Sequence, residues 1–124
     1  MTEYELVDAI SSYATQGGTF ITIWVTFVSA YALVAYTAGE NLQRSQLVWL
    51  NGLYIFASLL AIYGFTGSWL SQVYYVEQLK ELNPKSPQSM NTSMVITSTA
   101  FAFSGTFITM KFMWDVRHAK KSAT

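Results

Sequence analysis

The stretch SQLVWLNGLYIFASLLAIYGFTGSWLSQVYYV, residues 45–76, contains no Asp, Glu, Lys or Arg. It lies between Arg44 and Glu77 and is longer than the roughly 20 residues a helix needs to cross a hydrocarbon layer of ~30 Å. Two more stretches are equally free of formal charge, between Asp8 and Glu40 and between Lys85 and Lys111. A soluble domain of 124 residues can hide one such helix, but has too little surrounding protein to hide three. The expected fold is an all-α integral membrane protein. Composition agrees: 52% of residues are hydrophobic, 16% aromatic and 11% charged, against roughly 25% charged in a typical soluble domain.

Working outward from this stretch, the helical pattern outlasts the apolar one. Membrane character fades by about Leu70, yet Val73, Val76 and Leu79 continue an apolar stripe among Gln72, Glu77, Gln78, Lys80 and Glu81 until Asn83-Pro84 ends the helix. A helix over residues 45–82 would be nearly 60 Å long at 1.5 Å per residue. The second crossing therefore projects from the bilayer, and Val73, Val76 and Leu79 become candidate contacts for a partner or for the N-terminal helix.

The spans expected in the transmembrane domain, residues 18–114, are about 18–38, 45–70 and 92–114. Residues 1–17 read as a short amphipathic surface helix, with Thr2 as cap, Glu5 three places on, and Leu6, Ile10 and Tyr13 at helical spacing. Gly17-Gly18 is the expected change of direction after it. Residues 115–124, DVRHAKKSAT, form a basic tail. The acidic flank of the first apolar run (Glu3, Glu5, Asp8) is the reverse of a signal peptide's.

Basic residues set the orientation. With three crossings, Arg44, Lys111, Arg117, Lys120 and Lys121 share one side, and Lys80 and Lys85 the other. The positive-inside rule then puts the C-terminus in the cytoplasm and the N-terminus outside, in a membrane such as the bacterial inner (plasma) membrane. Lys111, Arg117, Lys120 and Lys121 are candidate ligands for lipid headgroups. Zero net charge gives no electrostatic case for nucleic acid.

The pentapeptide GTFIT occurs at residues 18–22 and again at 105–109. The copies sit at different depths of their helices and their flanks disagree, so a duplication is not needed to explain them. What they share is a small residue four places before another. Helices in lipid associate by close backbone approach and interhelical hydrogen bonds, and each predicted crossing carries a stripe of small residues. Candidate packing positions are Gly18, Thr22 and Thr26 on the first helix, Ala57, Ala61 and Gly64 on the second, and Ser98, Ala102, Gly105 and Thr109 on the third. Asn51, about a turn into the second helix, calls for an interhelical partner.

Chemistry-bearing residues are sparse. There is no cysteine, and the single histidine, His118, stands in the basic tail, so no metal or haem site and no cofactor is expected. Asp115 and His118 read as an interfacial ion-pair cluster with Lys111. The middle of each crossing lacks the ionisable residue that proton relays and coupled-ion sites need. The expected function is non-enzymatic: a small membrane subunit acting through helix–helix association, with itself or inside a larger membrane complex. Its expected partners are lipid and other membrane subunits. Size, three crossings and the basic tail resemble those of some phage holins. The alternative is accordingly a homo-oligomeric channel or holin-like pore-forming effector, with Ser98, Thr99, Thr106 and Thr109 as candidate pore-lining hydroxyls.

Overall fold

In the computed structural model, residues 2–123 are described, with side chains through residue 119. Three helices account for nearly all of them: α1 (Glu3–Ala38), α2 (Arg44–Leu82) and α3 (Thr92–Ala123), with a short 3-10 turn at Gly39–Asn41 between the first two. No strand is present among the described residues. All three helices are long and apolar enough to cross a membrane, and this suggests a membrane location.

The helix ends follow local chemistry. Thr2 and Glu5 form a reciprocal cap at the start of α1: the Thr2 amide donates to Glu5 Oε2 at 3.3 Å, and the Glu5 amide donates to Thr2 Oγ1 at 3.2 Å. At the far end of α2, Pro84 has no amide to continue the ladder, and the Asn83 side chain accepts from the Lys85 amide at 3.2 Å. The same Asn83 donates through Nδ2 to Glu3 Oε1 at 3.0 Å, fastening the end of α2 to the start of α1. Asn91 begins α3 by accepting from the Met94 amide at 2.9 Å.

One expectation changes here. Residues 1–17 are not a separate surface helix, because α1 runs unbroken through Gly17-Gly18, and no glycine has positive φ. Glycine at 17 serves close approach rather than a turn: a Cβ there would stand 2.1 Å from Nε1 of Trp69. The far end of α2 meets the second of its two expected contacts, the N-terminal segment. The first turns of α1 run antiparallel beside its last turns, and Leu6 and Ile10 pack with Val76 and Leu79 in one cluster, with Tyr75 and Met90 against it. Val73, Val76 and Leu79, expected as contacts for a partner or for the N-terminal helix, are only 6%, 2% and 0% exposed. The N-terminal half of α1 has taken that role.

Two more clusters continue the core along the bundle. The middle one joins Trp24, Ala61, Ile62, Phe65 and Ala102. The third joins Tyr31, Ala35, Tyr54 and Met113, at the end near the α1–α2 turn. The exterior is apolar too: Leu53, Phe56, Leu60, Phe101, Phe107 and Ile108 are all exposed. A helix that is hydrophobic all round is a buried helix or a membrane span, and in a three-helix bundle each helix has an outer face that no other covers.

Candidate functional site

The feature that organises the bundle is aromatic rings seated on glycine. Besides Trp69 over Gly17, the Phe20 ring covers Gly64, where a Cβ would meet Cδ1 at 2.5 Å, and the Trp24 indole covers Gly105, where a Cβ would meet it at 2.9 Å. Gly17–Trp69 and Gly64–Phe20 join α1 to α2, and Gly105–Trp24 joins α1 to α3. Each seat lets an aromatic side chain reach a neighbouring helix backbone, so the helices mesh at points where a larger residue would hold them apart.

Side-chain hydrogen bonds join all three pairs of helices. Trp24 Nε1 donates to Thr106 Oγ1 at 3.1 Å, and that hydroxyl in turn donates to the Ala102 carbonyl at 3.0 Å. The Tyr31 hydroxyl donates to Asn51 Oδ1 at 2.6 Å, which supplies the interhelical partner Asn51 needs. The Tyr31 ring stacks on Tyr54, with centroids 4.0 Å apart. Thr66 and Thr99 join α2 to α3 through their hydroxyls at 2.8 Å.

The candidate packing residues divide into two sets. Ala61, Gly64, Ala102, Gly105 and Thr109 meet other helices of the chain or lie in its core, while Ala57 and Ser98 are half-buried. Gly18, Thr22 and Thr26 instead form an exposed stripe on the outer side of α1, and nothing lies within 4 Å of a Cβ built on Gly18. Their hydroxyls are satisfied locally: Thr22 donates to the Gly18 carbonyl and Thr26 to the Thr22 carbonyl, at 3.0 and 2.9 Å. GTFIT thus does one thing in common in its two copies: its Thr bonds back to its Gly carbonyl, as Thr109 also does to Gly105. In the first copy Phe20 is a ring that fills a seat, and in the second Gly105 is the seat.

The candidate pore-lining residues face inward or sideways within one chain. Thr106 and Thr109 are 8% and 7% exposed, Thr99 is committed to Thr66, and Ser98 is half-buried. Two buried hydroxyl oxygens, Tyr54 Oη and Ser58 Oγ, have no hydrogen-bond partner.

Of the basic residues, Lys111 is exposed on α3, and the side chains of Lys120 and Lys121 lie outside the described residues. Arg117 differs from the expectation of a headgroup ligand. Its guanidinium Nη1 donates to the carbonyls of Gly39 and Leu42, at 2.9 and 2.8 Å, and closes the turn between α1 and α2. One guanidinium nitrogen carries two N–H groups, so it can serve both carbonyls at once. His118 stacks on Trp114, centroids 3.8 Å apart.

Sequence reasoning misses the aromatic seats and the Arg117 clamp. One signal was present: Trp24 lies deep within an apolar run, away from the interfaces where Trp is usually found, so its N–H needed an internal acceptor. No group of acidic residues and histidine able to hold a metal occurs among the described residues. No protein-family model, curated protein or solved structure matches the chain.

Proposed function

We propose that the chain is an integral membrane subunit, non-enzymatic, whose work is association with other helices through the outer face of α1. Insertion as three crossings is supported by the three long apolar helices and the exposed hydrocarbon around them. We place the chain in a membrane such as the bacterial inner membrane, and an orientation with the N-terminus outside and the C-terminus in the cytoplasm is supported by the bias of Lys and Arg toward the end that carries Arg44, Lys111 and Arg117.

The observation that carries the association reading is the contrast between glycines. Gly17, Gly64 and Gly105 already hold rings from within the chain, whereas Gly18 leads an exposed stripe with Thr22 and Thr26 and has nothing on it. Small residues in lipid favour helix pairing, so this stripe is the face available to a second copy or to another membrane subunit. Gly18→Leu should weaken association and leave the bundle folded. Crosslinking yields from membranes that match wild type would sink this reading. The channel alternative has less support, since Thr106 and Thr109 would have to abandon their present burial to meet water.

A further inference from the structure

The geometry points to a binding groove for one membrane glycerophospholipid on the outer face of α2, across the Gly67 saddle. This rests on the membrane reading above but uses a different surface from the α1 stripe.

An open depression of about 1230 Å³ crosses α2 and is flanked by α1 and α3. Gly67 lowers the surface there, and nothing lies within 4 Å of a Cβ built on it. Its lining is mostly apolar, with a few polar side chains toward one end. Tyr13, Gln16 and Ser71 line that end, and no hydrogen bond within the chain uses their side chains. The antiparallel register puts all three near the Trp69–Gly17 contact, at the end of the bundle away from Arg117. The other end is hydrocarbon, with Phe56, Leu60 and Phe103.

A few unused neutral donors at one end of an apolar trough match the ester and phosphate oxygens of a glycerolipid above its acyl chain. The walls argue against a helix as occupant. Phe56, Leu60, Tyr63 and Leu70 are large and exposed, Tyr63 at 79%, whereas helix pairing in lipid favours small residues. Bulky side chains around a glycine floor leave a slot for a chain rather than a flat face for a helix.

The test compares two helical glycines. Gly52 is also open, with nothing within 4 Å of a built Cβ, and it does not line the depression. Wild type, Gly67→Leu, Gly52→Leu and Gln16→Leu are purified from membranes in mild detergent, and retained phospholipid is counted by native mass spectrometry. Alkaline carbonate extraction is run in parallel. The expected result is about one phospholipid on wild type and Gly52→Leu and about a tenfold fall in occupancy for Gly67→Leu, with a smaller fall for Gln16→Leu. Equal lipid on all four proteins, equal loss from both glycine variants, or a peptide in place of lipid overturns the proposal. Release of the wild-type chain by carbonate overturns the membrane reading itself, an outcome separate from failure of the groove.

Discussion

The indole of Trp69 lies so close over Gly17 that a Cβ at residue 17 would stand 2.1 Å from Nε1. Gly18, next in sequence and about 100° further round the helix, has nothing within 4 Å of a built Cβ. Gly17→Ala should therefore destabilise the bundle by about 1–3 kcal/mol through overpacking. Gly18→Ala should be neutral or stabilise by up to about 1 kcal/mol, since alanine favours helix and has room. Thermal unfolding in detergent compares them, and equal shifts would refute the seat.

Trp24 and Thr106 should behave as a coupled pair. Trp24→Phe and Thr106→Val each remove the 3.1 Å bond, and each should cost below about 2 kcal/mol for that bond, the range of interhelical hydrogen bonds in membranes. Trp24→Phe also leaves a smaller ring over Gly105. A double-mutant cycle isolates the bond, and strict additivity would mean that it contributes nothing.

The hydroxyls of Tyr54 and Ser58 are buried without partners, a cost of about 1–3 kcal/mol each if they stay so. Tyr54→Phe and Ser58→Ala should accordingly leave stability unchanged or raise it, by about 1 kcal/mol. Losses of similar size in both would show that these oxygens have partners in the membrane.

Arg117→Ala should loosen the α1–α2 turn, because it removes the guanidinium that donates to the carbonyls of Gly39 and Leu42. Water at a helix end can replace part of the lost bonding, so the effect on stability is about 1 kcal/mol. Hydrogen exchange over residues 39–46 reads it directly. Lys111→Ala, on an exposed position, should leave the same amides unchanged.

How much of this was legible in the sequence depends on where the deciding partner sits. Charge-free runs are local, so three long apolar helices were readable from Arg44 and Glu77 and their counterparts. Thr2 with Glu5 and Asn83 with Pro84 are local as well, and those helix ends lie where their chemistry puts them. Gly17-Gly18 was misread because a glycine pair signals a turn unless something occupies it, and its occupant, Trp69, belongs to another helix. The apolar stripe of Val73, Val76 and Leu79 calls for a cover, and sequence alone leaves open whether a partner or the N-terminal helix supplies it; α1 does. The candidate site divides the same way. Small-residue spacing identified Gly64, Ala102 and Gly105 as packing positions and could not show that the Gly18 stripe faces outward, since outward and inward faces have the same composition in a protein with an apolar exterior.

The most direct test of the association proposal is the native mass of the chain extracted in lipid nanodiscs without prior detergent, wild type against Gly18→Leu. The expected result is a defined assembly for wild type, of identical copies or with a co-purifying membrane subunit, and a shift toward single folded chains for Gly18→Leu. Single chains for both proteins would contradict it.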